Sequence, residues 1–299
     1  MELVKRAKIL VILGPTATGK SDLAVKIAKK YNGEVISADS RQVYKGLNIG
    51  TGKITKKEMM GIPHHLLDVV SPKKVFSVSD FQKLANKKIE EILKRDKLPI
   101  LVGGTGFYIQ SIVDGIVLPE VPPNKELRKK LETKSIDELV SILSKLDKNR
   151  LKNIDKNNPV RLIRAIEIAK SLGSVPKFQK QKPKYSFVQI GLTLPQEDLK
   201  EKIHKRLLTR LKGGMIKEAE KLHKNGLSWK RMRELGLEYR HLADYLEKKI
   251  DKNKMIASLS NDIYQYSKRQ MTWFRRDKKI KWYSPYEFDL IEKDLLSLL

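Results

Sequence analysis

The amino-acid sequence predicts an α/β fold in which a parallel β-sheet core carries a mostly helical insertion. Short apolar runs such as Ile9–Leu13 alternate with amphipathic helical segments over the first third of the chain. These runs are apolar throughout, as expected for parallel strands that are covered on both faces. After Gly115, prolines interrupt the alternation, and helical segments rich in Lys and Arg continue until Phe187. This change in composition and in hydrophobic pattern predicts the insertion.

Each predicted element of the core follows from its hydrophobic spacing. After the first strand, apolar residues recur between Leu23 and Ala28 with the period of an α-helix. Later runs of four to eight apolar residues have the length of strands. The predicted core elements are strands at 9–13, 34–38, 99–102 and 187–194 and helices at 21–30 and 81–95.

The domain organisation follows from the same pattern. We expect a core domain of residues 1–115 and 186–299. We expect the helical insertion to occupy residues 116–185. Its predicted helices are 125–131, 136–146 and 159–172.

The composition points to a polyanionic partner. Lys and Arg number 62 against 35 Asp and Glu, which gives a formal net charge of +27. Cations in such excess favour nucleic acid, because each Lys or Arg beside a phosphate releases condensed counterions. A Lys-rich solvated surface is the alternative explanation. The chain has no cysteine, which excludes disulfides and Cys-based zinc sites.

The apolar segments are too short for a membrane. No stretch approaches the roughly 20 apolar residues of a membrane-spanning helix. The first apolar run ends in Gly14-Pro15 rather than in the small residues of a signal-peptide cleavage site. We therefore expect a cytoplasmic protein without a membrane partner.

A phosphate-binding motif follows the first predicted strand. The eight residues match the pattern G-x-x-x-x-G-K-[ST] between a strand and a helix, and they predict a core like that of the P-loop NTPases. Backbone N–H groups and the helix N-terminus attract phosphate, Lys20 contacts its terminal region, and Ser21 is a ligand for Mg²⁺. The motif leaves open which diphosphate or polyphosphate is bound. Its residues are Gly14, Pro15, Thr16, Ala17, Thr18, Gly19, Lys20 and Ser21.

Two further loops follow strands, and the carboxyl ends of parallel strands line a ligand crevice. Asp39 follows the second strand and is a candidate base or metal holder, while Gln42 could read a base edge through its amide. As alternatives, Asp39 caps a helix and Gln42 lies on the surface. In the third loop, Gly103 and Gly104 permit close backbone approach to a ligand, and Thr105 supplies a hydroxyl.

Nearly the whole chain resembles the bacterial tRNA dimethylallyltransferases. The most specific segments are Ala-Asp-Ser-x-Gln, Pro-His-His-Leu and Lys-Arg-Gln-x-Thr-Trp-Phe-Arg. Arg41 departs from the Met that is usual in this family, and residues 233–239 replace a more usual Gly-Tyr-Lys-Glu pattern. The segments that carry the resemblance are 14–21, 36–44, 49–53, 61–68, 102–108, 158–167 and 268–275.

The resemblance implies a reaction and its reactants. A dimethylallyl group would pass from dimethylallyl diphosphate to the exocyclic N6 of adenosine 37, beside the anticodon. Asp39 is the expected base, and Thr105 is expected to assist the bridging oxygen. The implied partners are the tRNA anticodon stem-loop and dimethylallyl diphosphate, the implied cofactor is Mg²⁺, and we expect a monomer.

The resemblance also implies a set of RNA contacts. Trp273 has an alternative place in the core, and His64 and His65 are expected to be structural. The predicted tRNA-binding residues are Asp39, Ser40, Arg41, Gln42, Thr105, Arg128, Val160, Arg161, Leu162, Ile163, Arg164, Lys268, Arg269, Gln270, Trp273 and Arg275.

Two other functions remain open from the residues alone. A P-loop kinase acting on a small molecule or nucleotide explains the phosphate motif and the sheet, but not the charge of +27. A non-catalytic RNA-binding protein that uses the P-loop as a switch is the second alternative.

Overall fold

The computed structural model describes residues 6–177 and 179–298. Residues 1–5 and 299 of the predicted core domain and residue 178 of the predicted insertion lie outside the described residues. The strands are β1 (Lys8–Leu13), β2 (Gly33–Ser37), β3 (His64–His65), β4 (Leu98–Gly103), β5 (Ile116–Val117), β6 (Gln179–Lys180), β7 (Ser186–Leu192) and β8 (Lys281–Tyr283).

The helices surround and follow these strands. Within the described part of the chain, none has both the length and the apolar character to cross a bilayer. They are α1 (Lys20–Lys30), α2 (Lys56–Met59), α3 (Val78–Leu93), α4 (Gly106–Val113), α5 (Lys125–Glu132), α6 (Ile136–Leu146), α7 (Lys148–Lys152), α8 (Pro159–Leu172), α9 (Gln196–Lys212), α10 (Met215–Lys224), α11 (Trp229–Glu234), α12 (Leu237–Leu246), α13 (Lys252–Phe274) and α14 (Phe288–Leu298).

The core sheet has six strands in the order β3-β2-β4-β1-β7-β8. Every neighbouring pair is parallel. This arrangement confirms the predicted parallel α/β fold. Because β4 and β7 flank β1 on opposite sides, the strand order reverses direction at β1, and the loop after β1 opens into a crevice.

The alternation of side chains along β1 explains why its whole length is apolar. Ile9 and Val11 pack in one buried cluster with Phe81 of α3. Leu10, on the opposite face, packs in a second cluster with Ile27 of α1. Both faces of the sheet are therefore covered by helices, and a polar residue on β1 would be buried on either side.

A third apolar cluster holds the helices after β7 against the loops at the strand ends. Its members include Leu207 of α9, Tyr239 of α12 and Leu259 of α13, all fully buried. Ala17 of the phosphate loop and Val43 of the loop after β2 belong to the same cluster. The loops that form the crevice thus pack directly on α9, α12 and α13.

The chain separates into two compact units, and Gly115–Lys182 forms the second. Within this unit, Leu139 and Leu143 of α6 pack with Leu162 and Ile166 of α8. An antiparallel pair, β5 and β6, joins its two ends. Asn158 caps α8 by accepting a hydrogen bond from the Arg161 N–H, and Pro159 occupies the first turn.

Candidate active site

The phosphate loop links the end of β1 to α1, and its backbone requires glycine at two places. Gly14 has a φ of +138°, and a Cβ there would lie 2.4 Å from the carbonyl oxygen of Leu192. Gly19 has a φ of +83° at the N-cap of α1. Residues 16–21 of the motif line a cleft, whereas Gly14 and Pro15 are not part of its lining. The free N–H groups at the start of α1 therefore face an open space suited to an anion.

Lys20 is the charged group of this loop. Its Nζ donates a hydrogen bond to the Pro15 carbonyl at 2.5 Å. Burial lowers the pKa of Lys20 to about 7, the like charge of Arg206 adds to this, and Asp39 opposes it. Because little negative charge surrounds the Lys20 ammonium group, a phosphate would bind favourably beside it. The bound phosphate would raise the pKa of Lys20 again.

Asp39 stands at the end of β2 with one carboxylate oxygen held and the other available. Its Oδ1 accepts hydrogen bonds from the backbone N–H of Arg41 at 2.7 Å and of Gln42 at 3.2 Å. The structure gives no hydrogen bond to Oδ2 within the described residues. Asp39, Ser40, Arg41 and Gln42 all line the cleft. Asp39 is thus oriented by its own loop and presents a free acceptor.

Gln42 has only long hydrogen bonds from its side-chain amide. Its Oε1 accepts from the Ser37 hydroxyl at 3.4 Å, and its Nε2 donates to the Gly52 carbonyl at 3.5 Å. Both distances lie at the outer limit for hydrogen bonds. A ligand with a complementary edge can therefore displace them at little cost.

Thr105 lies beside the cleft rather than in its lining. Its Oγ1 accepts a hydrogen bond from the Ser40 N–H at 3.0 Å, and its own N–H donates to the Ala38 carbonyl at 3.2 Å. Gly103 leaves room for this approach, because a Cβ there would lie 2.2 Å from the Ala38 oxygen. The loops after β2 and β4 are joined into one support for Asp39.

The cleft has a volume of about 630 Å³, and one of its walls is cationic. Lys202, Arg206 and Arg210 of α9 line it. Their spacing of four residues places them on one face of the helix. This spacing is visible in the sequence, but sequence reasoning missed it because the surrounding segment is rich in Lys and Arg throughout.

Arg210 is the most unusual member of this wall. Its guanidinium donates to the Gly50 carbonyl at 3.0 Å and lies 3.5 Å from a carboxylate oxygen of Glu238. Its Nε is buried and has no partner within the described residues. Burial raises the pKa of Glu238, and Arg210 opposes this. A buried N–H without an acceptor is costly, and because Arg210 lines the cleft, an anion bound there would satisfy this donor.

Tyr266 of α13 is a further cleft residue that sequence reasoning missed. Burial, with Asp39 adding to it, raises the pKa of Tyr266 to about 12. Its hydroxyl therefore stays protonated at neutral pH and is able to donate a hydrogen bond near Asp39.

The prediction that Gln270 contacts RNA is corrected by the burial of its side chain. Its side chain is buried, with 6% exposure, and both ends of its amide are bonded within the protein. It cannot present that amide to RNA from this position. The prediction relied on the neighbouring cations of the same motif, and Lys268, Arg269 and Arg275 are indeed exposed.

Trp273, the aromatic residue of the same motif, packs against the core. Its ring meets Phe107 edge to face, with centroids 6.3 Å apart. A Cβ at Gly106 would lie 2.3 Å from the Trp273 ring. The ring remains partly exposed.

In the insertion, four predicted RNA contacts are corrected, because their side chains are buried or bonded within this unit. Leu162 is fully buried and Ile163 is 8% exposed, so both side chains belong to the core of this unit. Arg128 donates two hydrogen bonds to Glu167, at 3.0 and 2.8 Å, and Arg164 bonds to Glu167 and to the Val121 carbonyl. These cations neutralise a buried carboxylate, which a count of charges in the sequence does not reveal.

Two of the predicted contacts in the insertion keep exposed side chains. Val160 is 74% exposed, and the side chain of Arg161 is 59% exposed with one distant partner, Asp155, at 3.5 Å. Exposed ion pairs of this kind contribute little to stability. Arg161 is therefore available to a phosphate in a way that Arg128 and Arg164 are not.

The two adjacent histidines belong to the edge of the sheet. The ring of His65 bonds through Nε2 to Glu34 at 2.7 Å, and Arg95 and Lys97 bind the same carboxylate. Although burial acts to raise it, these hydrogen bonds lower the pKa of Glu34 to about 2. His65 is thus held at the sheet edge by a partner that comes from β2 rather than from its own motif, whereas His64 lines the cleft and its expected structural role stays a prediction.

The chain matches the family model described as IPP transferase over residues 42–277. It is 45% identical over 284 residues to tRNA dimethylallyltransferase 2 of Treponema denticola, covering 93% of this chain and 95% of that protein. It is 41% identical over 299 residues to the tRNA dimethylallyltransferase of Acetivibrio thermocellus, covering 97% and 96%.

Two solved structures share the fold. The full-length tRNA isopentenylpyrophosphate transferase from Bacillus halodurans has a TM-score of 0.74 and 38% identity, covering 98% of this chain and 95% of that one. A eukaryotic dimethylallyltransferase, studied crystallographically acting on tRNA, has a TM-score of 0.78 and 25% identity, covering 95% and 75%.

Proposed function

The chain belongs to the IPP transferase family, and we propose that it transfers a dimethylallyl group from dimethylallyl diphosphate to N6 of adenosine 37 in tRNA. The products are N6-(dimethylallyl)adenosine, beside the anticodon, and diphosphate. Family membership confirms the resemblance seen in the motifs. The observation that carries the proposal is a single cleft that joins a phosphate-binding loop to an oriented carboxylate with a free oxygen.

The phosphate loop, residues 14–21, holds the diphosphate of the donor. The ammonium group of Lys20 binds the diphosphate, and Arg206 and Arg210 face the diphosphate from α9. The unpartnered Nε of Arg210 supports this role, because a diphosphate oxygen would satisfy it. These groups stabilise the negative charge that grows on the leaving group as the allylic C–O bond breaks.

Asp39 acts as the general base. The lone pair of N6 forms the new C–N bond, the electron pair of the C–O bond leaves with diphosphate, and the N6 proton passes to Asp39. Its bonded Oδ1 fixes the carboxylate, and its free Oδ2 receives the proton. Positioned bases of this kind contribute about 10²–10⁴-fold to rate. Assistance by Thr105 at the bridging oxygen stays a prediction, because its hydroxyl also supports Ser40.

Magnesium fits the site as a partner of the diphosphate. The described residues hold no group of three or more His, Cys, Asp or Glu side chains that could bind a metal without help. Mg²⁺ is commonly held by one or two protein groups, phosphate oxygens and water. Ser21, at the start of α1, is the protein ligand that we propose. When bound, the ion would neutralise charge on the departing diphosphate.

The tRNA would bind through cations that are exposed in each unit and would place the target base, flipped from its stack, in the cleft. We propose Lys268, Arg269 and Arg275 in the core and Arg161, beside Val160, in the insertion. Gln42 would hold the adenine edge, since its present hydrogen bonds are long. A cytoplasmic location and a monomeric state complete the proposal.

Prenyl transfer to a defined RNA tests this function. The purified protein is incubated with dimethylallyl diphosphate, Mg²⁺ and an unmodified tRNA, and the nucleosides are separated and weighed by mass spectrometry. We expect N6-(dimethylallyl)adenosine and one diphosphate per transfer, and no product from a tRNA with guanosine at position 37. ATP consumption without tRNA, in place of prenyl transfer, would contradict the proposal in favour of a kinase.

A further inference from the structure

The amide of Gln270 spans two loops that face the cleft. Its Oε1 accepts a hydrogen bond from the Thr16 N–H of the phosphate loop at 3.0 Å. Its Nε2 donates to the Gly104 carbonyl of the loop after β4 at 2.8 Å. Both partners are backbone groups, and the Gln270 side chain is nearly excluded from solvent.

We infer that Gln270 is a positioning residue that sets the separation between the diphosphate-binding loop and the loop that supports the base. The inference rests on the function proposed above. Gln270 itself need not touch either substrate. It would act by holding Thr16 and Gly104 in a fixed relation.

Each of the two loops serves a different reactant of the proposed transfer. Thr16 lies in the cradle for the leaving diphosphate. Gly104 precedes Thr105, whose Oγ1 accepts from the N–H of Ser40, the residue after Asp39. A shift between the loops therefore changes the distance between the allylic carbon and the nucleophile. Displacements of about 1 Å in such an arrangement can cost about 10²-fold in rate.

The chemistry of this position is specific to glutamine. One end must accept a hydrogen bond from the Thr16 N–H and the other must donate one to the Gly104 carbonyl, and an amide does both without a charge. The fit is also tight, because a Cβ at Gly104 would lie 2.4 Å from the Gln270 Nε2. Asparagine is one methylene shorter, and methionine fills the space but forms neither hydrogen bond.

A matched control exists in the same unit. Gln189 of β7 is also 6% exposed, and its Nε2 donates to Asp277 at 2.8 Å. It does not line the cleft. Gln189→Met thus removes a hydrogen bond from an equally buried side-chain amide without touching the two loops.

The test compares Gln270→Met with Gln189→Met. We expect both to lower thermal stability to a similar extent and to bind tRNA within about twofold of wild type. Only Gln270→Met should lower kcat, by about 10–100-fold, with both substrates saturating. A kcat within twofold of wild type, or an equal loss in Gln189→Met, would overturn the inference. Absence of prenyl transfer by the wild type would instead count against the proposed function.

Gln270→Glu supplies a second readout if the methionine variant fails to fold. An ionised carboxylate accepts from Thr16 but repels the Gly104 carbonyl, whereas a protonated one also donates. The rate of Gln270→Glu relative to wild type should therefore rise as pH falls. A ratio that does not change with pH would contradict a role that depends on both hydrogen bonds.

Discussion

Arg210 in the cleft and the two arginines that bind Glu167 in the insertion differ in how fully their N–H groups are bonded. In the cleft, Arg210 keeps a buried N–H without a partner in the described part of the chain, and the pKa of Lys20 falls to about 7. In the insertion, Arg128 and Arg164 are both bonded to the buried Glu167. Because Arg210 and Lys20 line a cleft, the unpartnered N–H of one and the lowered pKa of the other mark candidate ligand contacts, whereas a cation bonded to a buried carboxylate supports the fold.

Asp39→Asn should have the largest effect on the cleft. The amide keeps an oxygen to accept from the N–H groups of Arg41 and Gln42, so the loop should be preserved. It does not take a proton at neutral pH, and kcat should fall about 10²–10⁴-fold. Steady-state transfer with both substrates saturating measures this loss, while tRNA affinity stays within a few-fold.

Asp251→Asn is the control for this change. Asp251 also accepts a backbone hydrogen bond, from Lys254, as the N-cap of α13, but it lies outside the cleft. It should retain wild-type turnover. A turnover within a few-fold of wild type in Asp39→Asn would rule out this base, and recovery at high Mg²⁺ would assign Asp39 to the metal instead.

The charge state of Lys20 should make donor binding depend on pH. Below pH 7, Lys20 is already protonated and binding needs no proton. Above pH 7, the free site loses the proton that the diphosphate requires, so Kd should rise by up to about tenfold per pH unit. Calorimetry at pH 8 in buffers of different ionisation enthalpy should detect proton uptake. Lys20→Arg, which stays charged, should remove that uptake; unchanged uptake would contradict the assignment.

Arg161→Ala should have the smallest effect, confined to RNA binding. Losing one phosphate contact should lower the slope of log Kd against log salt by about 0.7–0.9. Arg164→Ala should instead destabilise the insertion, because Glu167 loses a partner. Filter binding over a series of salt concentrations separates the two, and an unchanged slope in Arg161→Ala would remove this residue from the interface.

The sequence predicted the parts of the fold that depend on local periodicity. The predicted helices 136–146 and 159–172 coincide with α6 and α8, and the main strands agree to within two residues. The two-residue strands β3, β5 and β6 were missed, because so short a run has no measurable alternation. β8 was also missed, since its pairing with β7 depends on a contact between distant parts of the chain.

The site shows the same division between local and long-range information. The phosphate loop is contiguous, so its spacing alone predicted the cleft residues 16–21. Arg206, Arg210 and Tyr266 come from helices that only the fold brings to the cleft. Gln270 and Arg128 were assigned to RNA because their partners, Thr16 and Glu167, are distant in sequence and the bonds between them are not visible in a motif.

One substitution made at two arginines tests this account most directly. Arg210→Gln should raise the KM for dimethylallyl diphosphate about 10–100-fold, because a charged donor to the leaving group is lost. Arg128→Gln should leave that KM unchanged and lower the free energy of unfolding by about 1–3 kcal/mol, because buried Glu167 loses its paired cation. If Arg210→Gln leaves that KM unchanged, or if Arg128→Gln raises it to a similar extent, the distinction between the cleft and the insertion is wrong.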